Sequence, residues 1–280
     1  MHFAKYWARH SKDAATCWGW SDSSLTEAQS RAEAAANRVA AKFAAGETLQ
    51  RYGYPDRPMR EEVLREIWGS AGGVTAVITR NSYGCQVLNA TRAMFIDVDL
   101  PETKPVAAAG GLLSRLFGKP SAAPPPDDPA RPVLAKAEAW TQRNSGWGWR
   151  VYRTKAGLRL LATHELFDPA SPAAEAVFNA MGADPLYVRL CKAQQCFRAR
   201  LTPKPWRCDA GRPPTAWPWK TDRHEASYRQ WESRYQTASS GHATCALVST
   251  IGNRLMHPEI QPIVALHDEA TRSASTLSLA

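Results

Sequence analysis

Apolar and polar residues recur along the chain at periods of two and of 3.6, and these periods divide it into short elements. Ser24-Leu25-Thr26-Glu27 has a capping-box pattern, so the alanine-rich run to about Ala45 predicts a helix stopped by Gly46. Residues 60–68 predict a second short helix, after a turn at residues 55–58. Residues 74–80 are β-branched and 85–89 return as a second strand. Asn81-Ser82-Tyr83-Gly84 lies between them as a turn, so this stretch predicts a hairpin. The apolar run 93–99 predicts a buried strand that ends in two carboxylates. Helices are expected over 133–144, 172–181, 222–236 and 258–271, and strands over 149–154, 157–163, 197–201 and 244–249. Lys155-Ala156-Gly157 joins two of these strands in a tight turn, and 213–218 reads as a loop. Helices and hairpins alternate without an internal repeat, which predicts an α+β fold with an antiparallel or mixed sheet.

The same patterning suggests one domain over residues 1–280, with a helical N-terminal part at 1–72. Residues 101–132 are dominated by Pro, Ala and Gly and read as a flexible insertion. Leu112, Leu113, Leu116 and Phe117 form a small apolar knot inside it. The 280 residues are 44% hydrophobic and 22% charged, enough to bury a core and unlike a disordered chain. No stretch approaches the roughly 18 consecutive apolar residues of a membrane span, and the first residues lack a signal-peptide core, so a cytoplasmic protein with no membrane partner is expected. Six irregularly spaced cysteines then read as reduced thiols or metal ligands rather than a disulfide framework.

Charge narrows the picture. The net charge is +9, and residues 186–235 hold eleven Lys/Arg against four acids, which accounts for most of that excess. Trp206, Trp217, Trp219 and Trp231 are interleaved with them. Cations mixed with indoles suit a polyanion with π faces, meaning nucleotides or nucleic acid.

Three constellations carry candidate chemistry. Asp97 and Asp99, at i and i+2 of an apolar strand, share one face. Like charges held that close persist most easily with a hard cation such as Mg²⁺ or Mn²⁺ between them. Arg153, Thr154, Lys155, Gly157 and Arg159, with His164 following, gather cations, a hydroxyl and a glycine turn on one hairpin. Arg153 and Arg159 are both odd-numbered and are expected to face the same way, with Gly157 letting a phosphate approach the backbone. Arg198, Arg200 and Thr202 alternate along one strand face, ahead of Lys204, as a row of phosphate donors. Asp184, after the Gly182 helix stop, is a candidate third carboxylate.

In this order the sets resemble the archaeo-eukaryotic primase superfamily, the primase-polymerases. The first motif of that family is an apolar strand ending in Asp-x-Asp, here Asp97 and Asp99. The second is a hydroxyl residue, a turn, Gly, an apolar residue and usually His. Thr154, Gly157 and Leu158 match it, and Arg159 stands at the His place. The third is a lone acid followed by an Arg-containing strand and a Lys, similar to Asp184 with Arg198, Arg200 and Lys204. The resemblance covers roughly residues 75–205. It implies an RRM-like sheet flanked by helices, with two divalent Mg or Mn ions on Asp97, Asp99 and Asp184. It further implies a nucleoside triphosphate held by Arg153, Thr154, Lys155, Gly157, Arg159, His164, Arg198, Arg200 and Lys204. DNA or RNA would be its polymer, and replication proteins of the cell, a plasmid or a phage its protein partners.

Two other readings stand beside it. Cys191, Cys196, Cys208, His242 and Cys245 contain enough ligands for a structural zinc. With or without that zinc, the basic, Trp-rich segment could serve a non-catalytic nucleic-acid-binding protein. The Asp pair could equally serve a metal-dependent nuclease or nucleotidyltransferase of another fold.

Overall fold

A computed structural model describes residues 1–47, 58–101 and 128–280. The expected insertion therefore lies almost wholly outside the described residues, as do its apolar knot and most of the turn at 55–58.

The chain opens with a hairpin, β1 (Tyr6–Lys12) and β2 (Ala15–Ser21), turned at Asp13 with φ of 51°. An Asp tolerates this left-handed conformation better than most residues. One face of the hairpin lies on α1 (Leu25–Ala44), which buries the stripe Ala28, Ala32, Ala36 and Ala40. The stripe recurs every four residues, so small side chains line one helix face and let the backbone come close. Gly19 completes that approach. A Cβ at this position would lie 2.2 Å from the Ala28 carbonyl oxygen and 2.3 Å from the Ala32 nitrogen. The Ser24 hydroxyl caps α1 by accepting from the Glu27 N–H at 3.1 Å. The Glu27 carboxylate accepts from Arg31 and Ser21, so only half of the capping box forms.

Two four-stranded antiparallel sheets follow. The first has the order β3-β4-β5-β9, from β3 (Glu62–Trp68), β4 (Val74–Arg80), β5 (Gln86–Ala90) and β9 (Phe197–Arg200). The second has the order β11-β7-β8-β6, from β6 (Phe95–Asp99), β7 (Gly148–Thr154), β8 (Gly157–Ala162) and β11 (Cys245–Gly252). Around them lie α2 (Arg131–Arg143), α3 (Pro172–Met181), α4 (Pro185–Gln194), α5 (Asp222–Ser239) and α6 (Gln261–Thr271). Two short strands, β10 (His242–Ala243) and β12 (Ser278–Leu279), pair in parallel.

The expected α+β class holds, but two local expectations are corrected and one helix absent from the sequence reading is added. Residues 62–68 form β3 rather than a helix. Irregularities between Val63 and Arg65 and between Ile67 and Trp68 shift its register on β4. Bulges displace the apolar residues from strict alternation, leaving Val63, Leu64, Ile67 and Trp68 at a spacing that imitates a helix. The N-terminal part is not purely helical, since a hairpin precedes α1. Finally, the Asp184-Pro185 step opens α4. Asp184 is its N-cap, accepting from the Leu186 N–H at 3.0 Å, and Pro185 sits at the first helical position.

The sheets meet where β9 lies beside β6, and side chains bridge this seam. The buried Tyr187 hydroxyl donates to the Phe95 carbonyl at 2.7 Å and accepts from the Arg198 N–H at 3.3 Å. Arg159 on β8 donates to the Arg200 carbonyl at 2.9 Å. Phe178 of α3 brings its ring to 6.1 Å from Tyr187 and 6.0 Å from Phe197. α5 is held to the first sheet by Arg80 of β4, which is buried and pairs with Glu62 of β3 and Glu232 of α5.

The hairpin packing gives a direct test. Gly19→Ala places a methyl group against helix backbone that cannot rotate away, so about 1–3 kcal/mol of stability should be lost. Urea denaturation measures this, and an unchanged midpoint would show that α1 does not rest on the hairpin as described.

Candidate functional site

The registers of β6, β7 and β8 decide which side chains meet. Asp97 is the cross-strand partner of Arg159, and Arg159 of Tyr152. Directly opposed residues share a face, so Asp97, Arg159 and Tyr152 form one row. Arg153 is opposite Leu158 and lies on the other face, where it pairs with Asp128 at 3.3 Å. The expectation that Arg153 and Arg159 face the same way is therefore wrong. Opposed residues in this hairpin have unlike parity, which no reading of residue number alone can supply.

Arg159 is 1% exposed, and its Nε donates to Asp97 Oδ1 at 2.8 Å. A second contact runs from Nη2 to Oδ2 at 3.3 Å. Burial works against the charge on Arg159, but the adjacent Asp97 carboxylate more than offsets this and holds the guanidinium above its ordinary pKa. His267 of α6, also fully buried, places Nε2 3.4 Å from Arg159 Nη1 and Nδ1 3.1 Å from Asp268. A guanidinium can only donate, which assigns Nε2 as the acceptor and the proton to Nδ1. Burial pushes the imidazole pKa down, in keeping with this neutral form. Asp268 also accepts from the Tyr152 hydroxyl at 2.7 Å and pairs with Arg150. Arg159 is thus placed beneath Asp97 as a positioning residue, and its expected grip on phosphate is withdrawn.

Asp184 joins the strand-end acids, because its N–H donates to the Asp97 carbonyl at 3.0 Å. Burial raises the Asp99 carboxyl pKa first, and the negative charges of Asp184 and Asp97 raise it further. Lys204 and Arg200 pull the other way. These cations are themselves crowded. Burial lowers the Arg200 pKa, with Arg159 next, and burial lowers that of Lys204, with Arg200 and Arg207 next. Arg200 Nε is buried without a hydrogen-bond partner, and among the described residues neither Arg200 nor Lys204 makes an ion pair. A knot of acids and a knot of cations therefore sit within electrostatic reach of each other without pairing off.

Beside them a short turn, Pro205–Arg207, presents Trp206 at 41% exposure. Lys204 Nζ and the Arg212 guanidinium each lie 5.6 Å from its ring centroid. Tyr235 anchors this segment by donating to the Pro203 carbonyl at 2.6 Å, and Cys85 donates to the same oxygen.

Other expected site residues are placed elsewhere. Arg198 is buried and given over to Glu61 at 2.7 Å, and the Thr202 hydroxyl accepts from the Gln86 N–H and is hydrogen-bonded to the Tyr235 hydroxyl. The expected row of phosphate donors thus reduces to Arg200 and Lys204. The space beside Gly157 is filled by backbone, since a Cβ there would lie 2.1 Å from the Val98 carbonyl oxygen. Its glycine serves strand approach, not phosphate. Thr154 and the exposed Lys155 flank that turn. His164 lies beyond the far end of β8, about 20 Å along an extended strand from the carboxylate end. There its ring packs on Trp147 at 4.3 Å and on Phe167.

Among the described residues no three of the expected zinc ligands are gathered. Cys208 Sγ points to the Lys204 and Pro205 carbonyls, His242 faces Ala238, and Cys245 lies 4.0 Å from His267. Cys191 and Cys196 stay neighbours, the Cys196 N–H donating to the Cys191 carbonyl at 3.3 Å, and burial pushes both thiols up, to about 12 and about 11. Among the described residues no three His, Cys, Asp or Glu are gathered as a ready-made metal site, the strand-end acids included. Two carboxylates suffice for Mg²⁺ when substrate phosphates complete its shell. Of the three acids, Asp99 and Asp184 are the ones Arg159 does not hold, so they are the carboxylates that could hold a divalent ion.

Tyr187 and His267 escaped the sequence reading, because neither lies in a motif and only the fold shows what they touch. Trp206 was visible only as one of several tryptophans among cations. Comparison of the chain with protein-family models, with curated proteins and with solved structures found no match. Among the described residues no helix is long and apolar enough to cross a membrane.

The buried pair yields a prediction. Asp97→Asn strands a guanidinium away from water and should cost about 3–5 kcal/mol. Arg159→Met should cost less, since Asp97 keeps access to solvent. The double variant should be far more stable than the sum of the two losses implies. Strict additivity in urea denaturation would show that the two charges do not depend on each other.

Proposed function

We propose that this protein is a nucleotidyltransferase of the primase-polymerase type, acting on a nucleoside triphosphate and a nucleic-acid 3′-hydroxyl. The observation that carries this reading is the juxtaposition of Asp97, Asp99 and Asp184 with the unpaired Arg200 and Lys204. Acids crowded against acids favour a divalent cation, and cations crowded against cations favour a polyanion. A metal-bound triphosphate satisfies both at once.

In this scheme Arg200 and Lys204 bind the phosphate oxygens, and Trp206 offers its ring to a base. Asp97 does not bind substrate directly. Arg159 fixes its rotamer, and its carbonyl holds Asp184 in place. Asp99 and Asp184 would hold a divalent ion, which would supply counter-charge for the phosphates and the departing pyrophosphate. The 3′-oxygen forms its bond to the α-phosphorus as the bond to pyrophosphate breaks, and the hydroxyl proton leaves to water.

A second reading is favoured by a separate observation: Asp97 is already paired with Arg159 at 2.8 Å, which leaves the basic, Trp-bearing face as the more open feature. A nucleic-acid-binding protein without catalysis would need only the basic, aromatic face.

Asp99→Asn with Asp184→Asn tests the first reading without stranding Arg159, because Asn caps helices about as well as Asp. Wild type should gain thermal stability on adding Mn²⁺ and triphosphate and should extend a primed template, while the variant should do neither. A wild type that neither responds to Mn²⁺ nor extends a primer would leave only the binding reading.

The pH dependence follows in sign. Asp99 has a raised pKa in the folded state, so its protonated form is favoured there. The stability it contributes is present below its unfolded pKa of about 3.9 and lost as pH rises through the folded value. Asp99→Asn alone should therefore raise the melting temperature at pH 7 without metal, and the gain should vanish in acid.

A further inference from the structure

The outer face of the N-terminal hairpin takes no part in the site above. Its register opposes Trp7 to Trp20 and Arg9 to Trp18, so indoles and a cation share the face turned away from α1. Facing them is the loop before α5. Together they enclose a cleft of about 380 Å³, lined by Trp7, Arg9 and Trp18 of the hairpin and by Pro218, Trp219 and Lys220 of the loop. No acid lines it. Arg9 and Lys220 are exposed and make no ion pair among the described residues. Trp7 and Trp219 form a rigid floor. Trp7 is 8% exposed with its Nε1 donating to the Ala4 carbonyl, and Trp219 packs 4.8 Å from Tyr228. Trp18 is partly exposed, and the Arg60 guanidinium lies over its ring at 4.3 Å.

We infer that this cleft is a second binding site, which takes an unpaired nucleotide of a single-stranded nucleic acid. Indoles stack on any base because every base has a π face, and such stacking is worth most when the base is free of a partner strand. The cations at the rim supply counter-charge for the flanking phosphates. A duplex hides its base faces, and an acidic polypeptide has none, so the partly exposed indoles of Trp18 and Trp219 select against both. None of the lining residues belongs to the carboxylate–cation site. The cleft would therefore hold strand at a distance from any chemistry, whether the protein is a transferase or a binding module.

The test is fluorescence anisotropy with a labelled oligothymidine in EDTA, over a range of salt. Trp18→Ala should weaken binding roughly 5- to 100-fold, the range expected for one stacked base, and Trp18→Phe should restore most of it. Arg9→Gln with Lys220→Gln should reduce the slope of log K against log salt by about 1.4, for two single-strand phosphate contacts. Both of these side chains are exposed, so this variant carries the test even if Trp18→Ala fails to fold. The Arg9/Lys220 variant should keep the wild-type thermal response to Mn²⁺ with triphosphate, which separates this cleft from the transfer reaction. Equal affinity for a duplex or for polyglutamate would overturn the proposal, as would an unchanged slope in the Arg9/Lys220 variant.

Discussion

A guanidinium taken almost wholly out of water is the constraint around which this fold is arranged. Arg159 sits in the middle of the second sheet at 1% exposure. A charge in that position is tolerated only if every donor finds an acceptor and a carboxylate lies beside it. The acceptors come from three different elements: Asp97 of β6, the Arg200 carbonyl of β9 and His267 of α6. Satisfying one side chain therefore fixes a neighbouring strand, the seam between the two sheets and a helix on the sheet face. Tyr187 repeats the device at the same seam, standing in for the ladder bonds that β6 and β9 do not make.

The same arrangement explains why charges at the strand end stay unbalanced. Asp97 is drawn inward to Arg159, and Asp184 is tied to β6 through the backbone, so Asp99 has acids on both sides. Arg200 ends β9 with its own carbonyl held by Arg159, and its Nε is buried without a hydrogen-bond partner. Like charges are thus held together by the folding energy of the core, a state that a metal-bound polyphosphate would relax. Burial first, and like charge second, raise the Asp99 pKa and lower that of Arg200.

Much of the framework was legible because it rests on local rules. The Ser24 cap, the Ala-rich stripe, the Asn81–Gly84 turn and the Gly182 stop each follow from backbone sterics or from one side chain reaching its own backbone. β4, α3 and the β7–β8 hairpin appear within a residue or so of their expected bounds. Misreadings fall where a non-local partner intervenes. The bulges in β3 exist because of its pairing with β4, and they disguise its period. The β1–β2 hairpin is a strand pair only because α1 covers one of its faces. Asp184 and Pro185 hold the signals of a helix start, yet these are equally the signals of a turn until Tyr187 finds its place between the sheets.

By itself the sequence determined the α+β class, most element positions, the acid pair at the end of β6 and the concentration of cations and indoles after residue 186. These follow from period, composition and turn chemistry, which act over a few residues. Only the tertiary structure decided which charges are partners. It paired Arg159 with Asp97, Arg198 with Glu61 and Arg153 with Asp128, and sent His164 to the far end of the sheet. It left Arg200 and Lys204 without acids. The reason is that an ion pair depends on register and on sheet-to-sheet contact between residues tens of positions apart, and a local pattern carries no information about either.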